Sequence, residues 1–258
     1  MISISADQIM TWALSLIWPF VRISAMLLVA PIFGARGVNT RMRMGMGLLL
    51  AMVIAPQLPT PPLIDVISMR GLIVAIQQVL IGIAMGFVLQ MVFSALTQAG
   101  ESMALSMGLG FASVIDPAAG VQVPIVSQFF VIIATLLFLA MNGHLVLLEM
   151  LLLSFSSMPI GDGGLTADDL WALLSFGSTM FAGALLIALP AVAGLLMVNL
   201  AMGVVARTAP QLNIFAVGFP VMMLAGFVLL SILLPSLFAR LGELMTLGFE
   251  LIQRLIRL

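Results

Sequence analysis

The sequence contains no cysteine, no lysine and a single histidine, His144. Without cysteine the chain cannot form disulfides, iron–sulfur clusters or thiolate zinc sites, and one histidine excludes a histidine-rich metal site. The net charge is −1, so nothing points to nucleic acid or to a polybasic lipid-binding tail. We therefore expect no metal, no cofactor and no nucleic-acid partner.

Charged residues are scarce as well. They make up 7% of the 258 residues, whereas 63% are hydrophobic, and soluble proteins average about 25% charged residues. The sequence also lacks a phosphate-binding loop, a dinucleotide fingerprint and a zinc-protease motif, and its candidate nucleophiles have no accompanying base cluster. It therefore predicts an integral membrane protein, in contact with membrane lipid and without enzyme activity.

Apolar residues are grouped in six runs, and a membrane-spanning helix needs about 20 such residues. The runs lie at 9–33, 44–58, 71–96, 125–153, 170–206 and 211–238. The second run is short and ends in prolines, which predicts a helix end. The fifth is too long for one simple crossing and contains Pro190, so we expect that helix to tilt, kink or extend beyond a bilayer. The fold class is all-α, of the multi-pass membrane type.

The arginines do not fit one simple membrane topology. Arg36, Arg41 and Arg43 form the one dense basic loop, which places the first connection in the cytoplasm. Six crossings would then leave the arginines of the tail at 238–258 outside, against the same rule. These helices therefore do not all cross a bilayer conventionally. The tail is either an amphipathic helix that docks on a membrane surface or a partner, or a continuation of the sixth run.

Two apolar runs contain ionisable groups. Arg22 lies near the middle of the first, where a guanidinium in lipid would cost about 2.5–3.5 kcal/mol. It needs an acidic or carbonyl partner, and we favour a buried charge that caps a hairpin within protein over a charge in lipid. His144 and Glu149 lie five residues apart, hence on different sides of a helix, so a structural hydrogen-bonding role is favoured over a proton relay.

Small and flexible residues mark possible packing surfaces. Gly82 and Gly86 form a small-xxx-small pattern that permits close helix packing. Most of the 21 methionines are expected to fill the core, while a few near irregular loops suit a deformable seal around a moving peptide. The segment 100–124 combines glycines and prolines with apolar residues. Such a backbone is tolerated at membrane depth when it is buried in protein or lines a cavity, and an exposed loop is the alternative.

The stretch 207–220, Arg-Thr-Ala-Pro-Gln-Leu-Asn-Ile-Phe-Ala-Val-Gly-Phe-Pro, places polar side chains and two prolines between two apolar runs. Groups of this kind need a packed partner at that depth, unless the stretch is merely a short polar turn. Its wording closely resembles the signature of FliR-type proteins, the R subunit of the bacterial flagellar type III export gate. The stretches RISAMLLVAPIFGARGVNTRMRMGMGLLLA (22–51) and GFASVIDPAAGVQVPIVSQFF (110–130) are similar to the family's N-terminal pattern and central loop.

This resemblance implies a function and a set of partners. R subunits assemble with sister P and Q subunits into a helical hetero-oligomeric gate built from helical hairpins, alongside the export apparatus B and A subunits. Unfolded flagellar proteins leave the cytoplasm through that gate, which lies in the bacterial inner membrane at the flagellar basal body. The chain would be a structural, pore-forming subunit of the gate.

The resemblance also assigns parts of the chain. Residues 1–165 correspond to a part resembling the P subunit, and residues 166–258 to a C-terminal hairpin resembling the Q subunit. The family's central loop closes the pore as a plug, here about 106–122, which gives the pore residues Met107, Gly108, Gly110, Phe111, Asp116 and Pro117. The signature gives a helical turn and subunit interface formed by Arg207, Pro210, Gln211, Asn213, Phe215, Gly218 and Pro220.

Two other functions remain open at this point. The homologous subunit of a virulence injectisome shares Pro-Gln-Leu-Asn but diverges where this chain reads Val-Gly-Phe-Pro at 217–220, so the flagellar interpretation is favoured. A proton-coupled small-molecule transporter would have paired broken helices in two related halves. The sequence shows no internal repeat of that kind.

Overall fold

The computed structural model describes residues 6–34, 39–58, 64–66, 68–109, 124–161, 163–209 and 214–258, with side chains from 14 onward in the first helix and from 217 onward in the last. These residues form helices and no strand, which confirms the all-α class. The α-helices are α1 (Ala6–Val29), α2 (Thr40–Ile54), α3 (Met69–Ser106), α4 (Ile125–Ala140), α5 (Gly143–Ser157), α6 (Ala167–Thr208) and α7 (Ile214–Leu255).

Several of these helices suit a membrane. Three are long and apolar enough to cross one, namely α3, α6 and the part of α7 from Val217 to Leu255. Together α4 and α5 pass the same test as one span bent by 64°. Helices α6 and α7 have 42 residues each, about 63 Å at 1.5 Å per residue. That is about twice the 30 Å of a hydrocarbon core, so neither helix fits within it as one upright crossing.

The helix boundaries correct the sequence-based expectations in two places and decide between two alternatives in a third. The run 125–153 is two helices, because Asn142 adopts the left-handed conformation (φ 56°, ψ 24°) between α4 and α5, which asparagine tolerates better than most residues. The tail is a continuation of the sixth run, one of the two alternatives, since α7 extends to Leu255. Pro220 lies inside α7 rather than in a turn, as does Pro235, and neighbouring groups in apolar helices tolerate such prolines.

Short-range signals account for several helix ends. The side chain of Asn39 accepts a hydrogen bond from the N–H of Arg41 at 3.1 Å and caps α2. Beyond Ile54 the chain tightens into a 3₁₀ turn containing Pro56, so the predicted helix end near the prolines is confirmed. At the start of α6, the N–H of Thr166 donates to Oδ2 of Asp169 at 2.8 Å, and the N–H of Asp169 donates to Oγ1 of Thr166 at 3.2 Å. This is a reciprocal capping box.

The chain divides into two compact units. The first comprises Met1–Met91, Asn142–Phe176 and Thr246–Leu258, and the second comprises Val92–Met141 and Gly177–Met245. The division is not sequential, because α3, α6 and α7 contribute residues to both. The expected boundary near residue 165 concerned resemblance to two sister subunits, and it stays a prediction.

In the first unit, α1 lies along α3 and runs in the same direction. Gly82 faces the backbone of Arg22 and Met26, and Gly86 faces that of Met26 and Ala30. A Cβ on Gly86 would lie 2.8 Å from the carbonyl oxygen of Met26 and 3.0 Å from the nitrogen of Ala30. Contact this close requires glycine, so the predicted packing role of the small-xxx-small pattern is confirmed.

In the second unit, α3 packs antiparallel to α4. Ser127 of α4 lies against Gly100, where a Cβ would fall 2.5 Å from the Ser127 Cα. The Ser127 hydroxyl donates to the carbonyl oxygen of Thr97 at 3.1 Å. Further along, the rings of Phe93 and Phe138 meet edge to face with centroids 6.1 Å apart. The two helices that the central loop joins, α3 and α4, are therefore tightly packed against each other.

Also in the second unit, α6 and α7 form an antiparallel hairpin. Gly183 of α6 receives the side chain of Leu244, and Gly194 receives that of Leu229. In both cases a leucine methyl group fills the space that a larger residue would occupy. The rest of both helices carries many exposed large apolar side chains, including Leu185, Leu189, Leu200, Leu224, Val228 and Ile232.

Candidate functional site

Arg22 projects from α1 into protein and has no exposed surface (0%). Its Nε donates to Oε1 of Gln78 at 2.8 Å, and its Nη2 donates to the carbonyl oxygen of Met158 at 2.9 Å. Its Nη1 donates to the carbonyl oxygen of Ser154 at 2.8 Å and to the hydroxyl at 3.0 Å. The ring of Phe155 faces the guanidinium, 4.2 Å from Cζ to the ring centroid. We call these five residues the Arg22 cluster.

The Arg22 cluster contains no carboxylate, so other groups must stabilise the buried charge. Two of the acceptors lie at the C-terminal end of α5: the carbonyl oxygen of Ser154, which also accepts the Met158 N–H at 3.0 Å, and that of Met158, the residue directly after the helix. A helix also carries about half a negative charge at that end. The forked guanidinium donors match this arrangement, and the contact with Phe155 adds about 0.5–2 kcal/mol. Arg22 therefore caps α5, and any part it has in assembly stays a prediction.

Helix spacing brings Arg22 within reach of Gln78. Gln78 and Gly82 lie four residues apart and share one face of α3. Since a Cβ on Gly82 would collide with the backbone oxygen of Arg22, glycine at this position lets α1 approach closely enough for the hydrogen bond. The glycines were visible in the sequence, whereas Gln78, Ser154 and Met158 were not identified there. The one signal for Gln78 was a pair of glutamines inside an apolar run.

The first unit leaves two buried donors without acceptors near this face. Nε1 of Trp18 and Nε2 of Gln78 have no hydrogen-bond partner among the described residues. Both side chains are fully buried, and Trp18 lies one turn before Arg22 on α1. A buried unsatisfied group costs about 1–3 kcal/mol. These two donors therefore add a cost that the hydrogen bonds of the Arg22 cluster do not offset.

The described part of the predicted plug is its beginning. Met107 is fully buried and lies over Gly226 of α7, where an added Cβ would fall 2.5 Å from the Met107 Cγ. Gly108 has a φ of 82°, and its N–H donates to the carbonyl oxygen of Leu105 at 3.0 Å. This is part of the hydrogen-bond pattern that commonly ends a helix at a glycine. The remaining plug candidates, Gly110, Phe111, Asp116 and Pro117, lie outside the described residues.

The signature stretch 207–220 is described at its two ends. Arg207 is exposed in the last turn of α6, while Pro210, Gln211 and Asn213 lie outside the described residues, as does the side chain of Phe215. Within α7, Gly218 is buried and Pro220 is exposed. Their role in a subunit interface stays a prediction.

His144 and Glu149 both lie on α5 and do not form a site. Glu149 is exposed, and His144 is half-buried with a buried Nδ1 that has no hydrogen-bond partner in the described chain. The structural hydrogen bond favoured for His144 is therefore not made through that nitrogen. Among the described residues, no three Asp, Glu or His side chains are grouped so that they would hold a metal ion.

Comparison with known proteins identifies the family of this chain. Residues 13–247 match the model of a family described as bacterial export proteins, family 1. The chain is 40% identical to the flagellar biosynthetic protein FliR of Escherichia coli (strain K12) over 235 residues, 91% of this chain and 90% of the relative. The chain belongs to this family. A second FliR, from Pectobacterium carotovorum subsp. carotovorum, is 39% identical over 237 residues, again 91% and 90% of the two chains.

Family membership extends to distant bacteria. The FliR protein of Bacillus subtilis (strain 168) is 32% identical over 242 residues, 93% of each chain. The resemblance drawn from the residues is thereby confirmed, and this chain is a FliR-type, membrane-embedded export protein. The names of these relatives describe biosynthetic proteins rather than enzymes.

Proposed function

We propose that this chain is a structural, pore-forming subunit of the flagellar type III export gate, through which unfolded flagellar proteins cross the bacterial inner membrane at the basal body. The observation that carries the proposal is its 40% identity, over 91% of its length, to a protein named for flagellar biosynthesis. Its partners in this proposal are the P and Q subunits of the gate, the B and A subunits of the export apparatus, and the exported chains.

The exposed surface of the chain supports a role within a larger assembly. In its most apolar window, α3 is 50% buried, whereas α6 is 33% buried and α7 only 6% buried within this chain. Both α6 and α7 are also about twice as long as a hydrocarbon core is thick. The apolar run of α6 alone covers 170–206, more than an upright crossing needs, and in this proposal neighbouring subunits cover the apolar surface outside the hydrocarbon.

The proposal includes two parts of the chain with separate roles. Residues 1–165 take the place of a P-like part and residues 166–258 that of a Q-like hairpin, and the antiparallel contact of Gly183 with Leu244 supports the second. Segment 106–122 is the plug. The start of this segment is held within the second unit, because the side chain of Met107 packs against Gly226. A fixed start suits a plug.

Assembly tests the proposal directly. The chain is co-expressed with the P and Q subunits of its own bacterium, purified in mild detergent and weighed by native mass spectrometry. We expect a hetero-oligomer, and we expect motility to return when the gene is restored to a deletion strain. Replacing Gln211 and Asn213 by Ala should reduce incorporation of a partner and abolish motility. The gate function would be refuted if the chain stayed a monomer or homodimer and if deleting its gene left the bacterium motile.

A leak assay tests the plug. Deleting part of 106–122 should leave the complex assembled but conducting in a planar lipid bilayer. The single replacement Phe111→Ala should conduct less than the deletion, because neighbouring apolar groups can repack around the small residue. A deletion variant that stays closed would remove the plug assignment and leave the gate function intact.

Neither alternative function has a specific observation in its favour. The relatives compared above are named for flagellar biosynthesis, not for a virulence injectisome. A small-molecule transporter would need matching broken helices in two halves, and the described residues contain one bent pair, α4 with α5.

A further inference from the structure

One face of α6 bears a polar stripe in otherwise apolar surroundings. An open cleft of about 380 Å³ lies against this helix and is lined by Leu196, Asn199, Leu200, Gly203, Val204 and Arg207. Asn199, Gly203 and Arg207 follow at intervals of four residues, so they share one side of the helix. They extend over about 12 Å along it. We call these three residues the α6 stripe.

The centre of the α6 stripe is open. No atom lies within 4 Å of the position that a Cβ on Gly203 would occupy. By contrast, Gly183 and Gly194 of the same helix each receive a leucine of α7. Gly203 thus provides the groove that allows close helix approach, and no described part of this chain uses it.

The two polar ends of the stripe have no partner within the described chain. Asn199 and Arg207 are exposed, and neither makes a hydrogen bond or ion pair to another described residue. Their neighbours Leu196, Leu200 and Val204 are 55%, 73% and 63% exposed. Where this surface lies within a membrane, hydrocarbon offers the Asn199 amide no hydrogen bond, whereas a second protein can.

We propose that the α6 stripe binds an apolar helix of another protein chain, one that carries a carboxylate opposite Arg207 and a hydrogen-bonding side chain opposite Asn199. This inference rests on the proposed function, since it names the chemistry by which a neighbouring subunit recognises α6. Gly203 allows the close backbone approach that helix association in membranes uses. The carboxylate follows from charge complementarity and from the forked geometry of Arg.

Two other occupants fit the stripe less well. A lipid phosphate would satisfy Arg207, but Asn199 lies two turns away along the helix, where the lipid presents acyl chain. A second copy in the same membrane orientation would pack this face on itself, because two-fold contacts pair like with like. That would set Arg207 against Arg207, and like charges repel.

The test uses the full chain co-expressed with the P and Q subunits and weighed in mild detergent. Gly203→Leu fills the groove and Arg207→Glu reverses the charge, and Asn199→Leu removes the hydrogen bond. We expect each to lower the yield of hetero-oligomer by about 5–30-fold, the range that interhelical hydrogen bonds give. Arg207→Lys keeps the charge and should retain part of the yield. The matched control is Gly177→Leu, because Gly177 also lies on α6 with no atom within 4 Å of its Cβ position.

Charge exchange identifies the partner residue. Each Asp or Glu within the apolar helices of the P and Q subunits is replaced by Arg in the presence of Arg207→Glu. One of these pairs should restore the yield, and failure of all of them would overturn the proposal. It would also be overturned by full assembly of Gly203→Leu and Arg207→Glu, or by equal loss in Gly177→Leu.

The remaining outcomes distinguish the other occupants. If Arg207→Glu loses bound phospholipid yet assembles fully, the occupant is lipid. If Gly203→Leu instead dissolves a homodimer, the occupant is a second copy. Both results overturn this proposal. A wild-type chain that forms no hetero-oligomer refutes the gate function itself, which is a different result from assembled variants.

Discussion

Replacing Gln78 by Met removes the acceptor of the Arg22 Nε–H. It leaves the three acceptors at the C-terminal end of α5 in place, two on Ser154 and one on Met158. The charged donor then stays buried and unpaired. Such a group costs about 3 kcal/mol, while removal of the unsatisfied Gln78 Nε2 returns about 1 kcal/mol. We therefore expect Gln78→Met to destabilise the wild-type chain by about 2 kcal/mol.

Gln78→Met should have the opposite effect on stability in a chain that already carries Arg22→Met. In that background the guanidinium is gone, and Gln78 has both its oxygen and its nitrogen buried without partners. Removing these two groups should stabilise the chain by about 2 kcal/mol or more. Arg22→Met alone should change stability by no more than about 2 kcal/mol, because relief from burying a charge offsets the acceptors left unpaired.

Thermal unfolding in mild detergent is measured for four full-length chains: the wild type, Gln78→Met, Arg22→Met and the double variant. About 2 kcal/mol corresponds to about 4–8 °C in Tm for a chain of this size, down in the wild-type background and up in the Arg22→Met background. Gln98→Met is the control, since Gln98 is exposed on the same helix and should shift stability by less than about 0.5 kcal/mol. Equal signs in both backgrounds would show that the hydrogen bond to Gln78 does not hold the charge.

Three further predictions concern backbone geometry, each measured by thermal unfolding. Gly82→Ala should destabilise the chain by about 1–3 kcal/mol, because the added Cβ meets the backbone of α1. In the control Gly45→Ala the added Cβ meets nothing within 4 Å, so that change should be neutral or stabilising by up to about 1 kcal/mol. Equal effects of the two replacements would contradict the packing argument. Asn142→Val should cost about 1–2 kcal/mol in the left-handed conformation, and Asn142→Gly should not. Gly226→Ala should destabilise through its clash with Met107, and adding Met107→Ala should remove the clash, so additive losses would argue against this contact.

The helices were predictable because their signal is local. Long apolar runs require helices in a membrane, and the prolines at the end of the run 44–58 predicted a helix end, which the structure places at Ile54. The break between α4 and α5 was missed although Asn142 and Gly143 form a common turn signal. The uninterrupted apolar residues on both sides outweighed that signal. Pro220 misled in the other direction, since it predicted a turn but lies inside α7.

The Arg22 cluster shows where sequence reasoning ends. The cost of a buried guanidinium predicted that Arg22 needs carbonyl or acidic partners. Their identity depends on which helices pack together, and Gln78 and Met158 are 56 and 136 residues away. Apolar helices carry little information about their neighbours, because leucine fits against lipid and protein alike. Only the glycines at 82 and 86 marked a packing face in advance.

The separation in sequence between Arg22 and its acceptors also determines when, during synthesis, their hydrogen bonds can form. Ser154 follows Arg22 by 132 residues, which a ribosome adds in about 7–26 s at about 5–20 residues per second. During that interval the end of α5 does not yet exist. Until then the nascent guanidinium lacks these acceptors and depends on water or other polar groups. Arg22 can therefore reach its final surroundings only after Met158 has been made, 136 residues later in the chain.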